Sequence, residues 1–261
     1  MKRKKIKLLA GVMIIAMTGG VFVGCGNNSA SNEGKVTITV SGSTSVGPLM
    51  EKIAEKYEEE NSDVSIEINQ TGSSAGIKDA MDGISDIGLS SRDLKGEEAS
   101  KVQSTVLAYD GVAVITNTSN PIKELTIEQI RDIFTGKITN WNQIGGNDSP
   151  IVVVSRETGS GTRTAFEEGV GYSEEELVKT ATISKGNGDV KTTVSTNENA
   201  IGFVSFEYLD DAISAINVNG IKPTAENVKA GSYVLSRPFL AVTNEQYITC
   251  LLYTSPSPRD A

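Results

Sequence analysis

The sequence predicts an α/β fold, and three observations predict it. Short β-branched runs alternate with stretches of helical period along most of the chain. At four places a strand-like run breaks into a Gly- and hydroxyl-rich turn that leads into a helical pattern. The chain has 261 residues and is 38% hydrophobic, enough for one or two domains with real cores.

Taken in order, Val36-Thr-Ile-Thr-Val40 alternates as a strand, and residues 41–45 are a polar turn. A helix follows over about 46–60, with Val46, Leu49, Ile53, Ala54 and Tyr57 on one face. Residues 64–68 are a second strand, 71–76 a second turn and 77–81 the start of a short helix. Residues 84–89 lead into Ser90, Ser91 and Arg92 and then a polar helix. Residues 106–108 and 111–115 read as strands separated by Tyr109 and Asp110. Residues 125–134 are a helix with the capping-box spacing Thr126 to Gln129, ended at Gly136. Trp141 is the only Trp, and it reads as a packing residue. Residues 151–154 are a buried strand, and a helical pattern resumes near Thr162. Residues 174–181 and 188–196 are expected helices, 200–206 a buried strand and 233–242 strand structure. The turn residues Asn219, Gly220 and Pro223 mark 218–227 as a hinge or linker.

The four turns carry the chemistry. The fullest is Arg156-Glu-Thr-Gly-Ser160-Gly-Thr162-Arg163. First-turn N–H groups have no partners inside a helix, and the dipole places partial positive charge there. Gly159 and Gly161 let the backbone approach a ligand, Ser160 and Thr162 supply hydroxyls, and Arg156 and Arg163 supply planar donor forks. Any one turn also reads as a plain N-cap. Four together, two with Arg and none with His, point to one anion site at the carboxyl ends of strands.

Composition excludes several functions. There is no His, which removes Ser-His-Asp triads, His-metal sites and His proton shuttles. A serine hydrolase on Ser160 would also lack Gly-x-Ser-x-Gly, because Thr158 stands at the first Gly position. No metal or cofactor is expected. Residues 1–24 have a basic start, an apolar stretch at 8–23 and Gly24 before Cys25, the pattern of a signal peptide. A transmembrane anchor is the competing reading, but about 16 apolar residues is short for a span. Without its five Lys and Arg the chain keeps 19 basic residues against 33 acidic, a net charge of −14. That charge argues against nucleic acid as a partner. With only Cys25 and Cys250, no structural disulfide is expected. Residues 25–34 are Asn-, Ser- and Gly-rich and read as a flexible tether.

These motifs carry a resemblance. Phe22-Val-Gly-Cys25 resembles a bacterial lipoprotein signal, which implies lipidation of Cys25. Gly42-Ser-Thr-Ser45, Thr71-Gly-Ser-Ser-Ala-Gly76, Asp86-Ile-Gly-Leu-Ser-Ser-Arg92, Asp110-Gly-Val-Ala-Val114, Ile133-Phe-Thr-Gly-Lys-Ile-Thr-Asn-Trp141, Arg156-Glu-Thr-Gly-Ser-Gly-Thr-Arg163 and Asn199-Ala-Ile-Gly-Phe203 are similar to motifs of the phosphate-binding subunits of bacterial phosphate ABC transporters, the PstS type. The resemblance runs from about Val36 to about Asn244. It implies a two-lobed periplasmic-binding-protein fold of type II. Each lobe is a mixed β-sheet flanked by helices, and the ligand lies in the cleft between them. The first lobe would hold 35–115 and 228–249, and the second 116–227. It implies a monomer, tethered to the outer face of the membrane through a lipid on Cys25, that hands inorganic phosphate to a permease. Another tetrahedral oxyanion, sulfate or molybdate, is the alternative ligand.

The site implied by the resemblance is Thr44, Ser45, Ser73, Ser91, Arg156, Ser160, Gly161 and Thr162, with Ser43, Arg92 and Asp110 as further candidates. In some members an Asp holds the place of Ser91, accepts the proton of hydrogen phosphate and rejects sulfate. Ser91 both donates and accepts, so charge repulsion does not impose that rejection here, and Asp110 becomes the candidate acceptor. Family members continue past Asn244 with a helix on the first lobe. Residues 250–261 instead resemble translated adapter sequence, and a non-native tail is expected there.

Overall fold

The structure, a computed structural model, describes residues 35–247. The expected signal segment, Cys25, the tether and the tail at 250–261 lie outside the described residues.

The chain runs β1 (Val36–Gly42), α1 (Gly47–Glu60), β2 (Val64–Asn69), α2 (Ser73–Met81), β3 (Ile87–Ser90), α3 (Gly96–Lys101) and β4 (Gln103–Asn117). It continues through β5 (Glu124–Leu125), α4 (Ile127–Phe134), β6 (Val152–Arg156), α5 (Gly161–Val170), β7 (Thr182–Ser184) and α6 (Gly186–Thr196). It ends with β8 (Ala200–Ser205), β9 (Ile213–Ala215), β10 (Asn217–Val218), α7 (Ala225–Lys229) and β11 (Ser236–Thr243). Among the described residues nine strands join one mixed sheet in the order β2-β1-β3-β11-β4-β8-β6-β7, with β9 also on β4. β1, β2 and β3 run parallel, as do β7, β6 and β8. β11 and β4 are antiparallel to their neighbours and join the two parallel groups.

β4 links the two halves. Gln103–Gly111 pairs with β11, and Val112–Thr116 pairs with β8. The chain is one strand where the sequence separates two at Tyr109 and Asp110, because both residues pair across to β11, Tyr109 with Pro238 and Asp110 with Arg237. The cores follow this division. On the first half, α1 packs Val46 and Met50 against Val40, Leu89 and Phe239, while Ile77 and Ala80 of α2 meet Leu240 and Val242 on the other face. The second half is built around Phe134, Trp141, Phe166 and Phe203, with the Phe166 and Phe203 rings stacked 4.0 Å apart. Trp141 is a packing residue whose indole N–H donates to the Asn199 carbonyl at 3.1 Å.

Some local expectations change. α1 buries Met50 and Ala54, with Val46 buried at its N-cap, while Ile53 and Tyr57 face out. The Thr126–Gln129 capping box forms as expected. Residues 174–181 make only a single 3-10 turn, because Val178 N–H donates to the Phe134 carbonyl instead of continuing a helix. Residues 218–227 are not a free linker. Val218 pairs with Leu125 and is buried in the second core, and Asn219 with Gly220 forms the turn after it. On the first half α2 lies close on the sheet, since a Cβ at Gly76 would stand 2.5 Å from Gly42 Cα. That approach sets Ser73, at the start of α2, beside the end of β1.

Candidate anion-binding site

The four turns meet. Ser43 Oγ donates to Ser91 Oγ at 2.9 Å, Ser91 N–H donates to Ser73 Oγ at 3.1 Å, and the Ser73 and Ser91 hydroxyls lie 3.3 Å apart. These bonds join the turns after β1 and β3 to the start of α2. The turn after β6 comes from the other half of the sheet. Ser160 Oγ caps α5 by accepting Arg163 N–H at 3.2 Å. Ser74 N–H donates to the Gly159 carbonyl at 3.1 Å. Ser45 Oγ and Thr162 Oγ1 are 2.8 Å apart. Gly161 has no room for a side chain, as a Cβ there would be 2.2 Å from Ser73 Oγ and 2.7 Å from Ser91 Oγ. Ser43, Ser45, Ser73, Ser91, Ser160 and Thr162 are all buried, and Thr44 is half-buried.

The arginines are buried too, and each meets a carboxylate. Arg156 gives Nε and Nη2 to Glu157, both at 2.8 Å, and Nη2 lies 3.4 Å from Thr44 Oγ1. Among the described residues its Nη1 is buried with no hydrogen-bond partner. Burial opposes ionisation of Glu157, but the Arg156 guanidinium and the Gly186 N–H outweigh it and hold the carboxyl below its usual range. Arg163 donates to Glu167 at 2.6 Å and to the Arg156 carbonyl at 3.0 Å. Arg92 forks onto Glu98 at 2.8 and 2.9 Å and touches Ser74 Oγ at 3.2 Å. With its cations matched by carboxylates, this region offers an anion hydrogen-bond donors more than net charge. A buried donor without an acceptor is costly, and the Arg156 Nη1 group has the chemistry to donate to an acceptor such as an oxyanion oxygen.

Asp110 is not left open as an acceptor. Its Oδ2 accepts Ser205 Oγ at 2.8 Å and Arg237 Nε and Nη2 at 3.2 and 3.0 Å. Burial pushes this carboxyl above its usual range against the pull of Arg237. Five further residues stand here that the sequence reading passed over: Glu157, Asn187, Ser205, Tyr208 and Arg237. Asn187 Nδ2 donates to Ser45 Oγ at 2.9 Å and Thr44 Oγ1 at 3.2 Å, and Tyr208 OH donates to the Thr44 carbonyl at 3.0 Å. Asn187 follows a strand and a Gly and opens α6, the same signal as the other four turns. Arg237 is a lone cation in an otherwise apolar strand run, which is also a readable cue.

A family model described as a PBP superfamily domain matches residues 27–251. The phosphate-binding protein PstS of Bacillus subtilis is 33% identical over 246 residues, covering 89% of this chain and 81% of that protein. The chain belongs to the PstS family. A crystal structure from Clostridium perfringens, described as a candidate phosphate ABC transporter substrate-binding protein with bound phosphate, is 58% identical. It aligns with TM-score 0.80 over 81% of this chain and 88% of that one. An ABC-type phosphate transport receptor from Vibrio cholerae is 37% identical with TM-score 0.69, covering 85% of this chain and 96% of that one. The fold is therefore the mixed α/β periplasmic-binding-protein fold seen in PstS structures.

Proposed function

We propose that this chain captures inorganic phosphate outside the cell and delivers it to the permease of an ABC transporter. One observation carries the reading. The hydroxyl turns of both halves converge beside Arg156, whose Nη1 is buried without an acceptor among the described residues. Relatives named for phosphate binding share the family and fold. The ligand set is Thr44, Ser73, Ser91, Arg156, Ser160, Gly161 and Thr162, with Ser43 behind Ser91 and Ser45 behind Thr162. Arg92 and Asp110 serve the frame around it, since Glu98, Ser205 and Arg237 occupy them. The chain is a binder and not an enzyme. Ser160 Oγ is engaged as a helix cap, and no His is present to activate it.

Two lobes close on the ligand and open to release it. Their division falls within β4 near Gly111 and just before β11, because Val112, Val114, Val228 and Leu235 pack with the second core. The receptor works as a monomer held to the membrane by a lipid on Cys25. Among the described residues no helix is long and apolar enough to cross a membrane.

Calorimetric titration of anion-stripped protein with phosphate and then sulfate, at pH 5 and pH 8, tests the reading. Phosphate heat without sulfate heat is expected. Sulfate binding of equal strength would make this a general oxyanion receptor, and no heat from either would end the proposal.

A further inference from the structure

We propose that Asn187 and Arg237 lock the Ser45 hydroxyl as a donor to Thr162, so that Ser45 acts on the bound anion through Thr162. This rests on the phosphate reading above and names positioning residues within that site.

The assignment follows from counting hydrogens. A hydroxyl has one hydrogen and two lone pairs. Ser45 Oγ lies 3.1 Å from Arg237 Nη2, 2.9 Å from Asn187 Nδ2 and 2.8 Å from Thr162 Oγ1. A guanidinium only donates, so Arg237 takes one lone pair of Ser45. The Asn187 amide is oriented by its other end, where Oδ1 accepts Ser205 N–H at 3.1 Å. Its NH₂ therefore faces Ser45 and takes the second lone pair. Among the described residues the only place left for the Ser45 hydrogen is Thr162 Oγ1. Thr162 accepts it, and its own hydrogen points away from Ser45, with no other partner among the described residues. Thr162 opens α5, where an anion would gain from the helix dipole as well.

The donors on Ser45 are themselves fixed. Arg237 is clamped by Asp110, and Asp110 is held in turn by Ser205 Oγ. Ser205 also orients Asn187, so Asp110, Arg237, Ser45, Asn187 and Ser205 form a closed ring of hydrogen bonds. All five are buried. The ring joins residues from the turn after β1, β4, α6, β8 and β11. Its output is a single hydroxyl hydrogen of fixed direction on Thr162.

A double-mutant cycle read by titration with inorganic phosphate tests this, with thermal melts confirming that each protein folds. Thr162→Val loses the donor and weakens phosphate binding about 10- to 100-fold, the range for a hydrogen bond to a charged group. Ser45→Ala frees the Thr162 hydrogen to rotate and weakens binding roughly 3- to 10-fold, the range for a neutral hydrogen bond. In the Thr162→Val background Ser45→Ala adds nothing, while in the Thr162→Ser background it regains its full effect. A general structural defect would weaken binding in both backgrounds alike. Penalties that multiply in Ser45→Ala plus Thr162→Val would mean that Ser45 touches the anion itself, and would overturn the inference alone. Should Ser45→Ala not fold, Ser45→Cys, whose thiol is only a weak donor, replaces it in the same cycle with the same expected dependence on the Thr162 hydroxyl. A wild-type protein that takes no phosphate overturns the receptor reading and this inference with it.

Discussion

Arg156 and Arg237 stand in similar surroundings and end in different states. Both are buried, both meet a carboxylate, and both reach a hydroxyl of the turn after β1. Arg237 uses every nitrogen: Nε and Nη2 on Asp110, Nη1 on the Ser91 carbonyl, and Nη2 also on Ser45. Arg156 spends Nε and Nη2 and keeps Nη1 without a partner among the described residues. A guanidinium whose donors are all spent holds a frame together. One with a terminal nitrogen left over can take a ligand. The same residue type beside neighbouring hydroxyls of one turn is thus proposed to serve two ends, and the unspent terminal nitrogen separates them.

The largest expected effect lies on the frame side. Arg237→Met leaves Asp110 buried without its cation, a change that costs about 3–5 kcal/mol. Urea unfolding should show that loss, and Asp110→Asn added to the same chain should recover part of it. A loss below about 1 kcal/mol, the value of an exposed pair, would erase the distinction between the two arginines.

The ligand side is expected to answer in affinity. Arg156→Lys keeps a charge but loses the planar fork. Phosphate binding should weaken about 10- to 100-fold, as for losing a hydrogen bond to a charged partner, with a smaller change in unfolding than Arg237→Met. Arg92→Lys sharpens the comparison. Arg92 stands next to Ser91, and its Nε is buried without a partner among the described residues, yet both of its terminal nitrogens are spent on Glu98, Ser74 and the Asp93 carbonyl. Its phosphate affinity should stay within about threefold of wild type, below what one neutral hydrogen bond is worth. Equal affinity losses at Arg92 and Arg156 would show that proximity, and not an unspent terminal nitrogen, decides the role.

The same contrast explains what could be read from the chain alone. The turns with Ser45, Ser73, Ser91 and Ser160 were legible because each is a contiguous motif, a strand, then Gly and hydroxyls, then a helix, and local chemistry dictates such a motif. The α/β alternation was legible for the same reason. Arg237 and Asn187 were not, because their roles depend on pairings between distant parts of the chain. Arg237 meets Asp110 only through the register of β11 on β4. The continuity of β4 was hidden for a like reason. Tyr109 and Asp110 look like a turn, and only pairing with β11 makes them strand residues. Residues 218–227 carry true turn signals, but β5 and the second core capture Val218. Tertiary pairing overrode local preference at these places.

The smallest effect concerns two Arg–Glu pairs of opposite sign. The Arg92 hydrogen bonds hold the Glu98 carboxyl below its usual value of 4.5, ahead of a weaker opposing push from burial. For Glu167 burial is the larger influence, and it raises the carboxyl despite Arg163 at 2.6 Å. A depressed folded pKa gives stability that is present above the unfolded value and lost as pH falls through the folded one. A raised one gives stability that is present in acid and lost as pH rises through the folded value. Glu98→Gln should therefore flatten the fall in urea midpoint below about pH 4.5, the unfolded reference for Glu. Glu167→Gln should steepen the rise of stability with pH above that value. Each effect should stay under about 1 kcal/mol, since both pairs keep some contact with solvent. With no His in the chain, no imidazole blurs the comparison between pH 5 and 8. If both variants flatten the acid fall, the Arg163 pairing outweighs burial at Glu167, and the two pairs are one kind of contact after all.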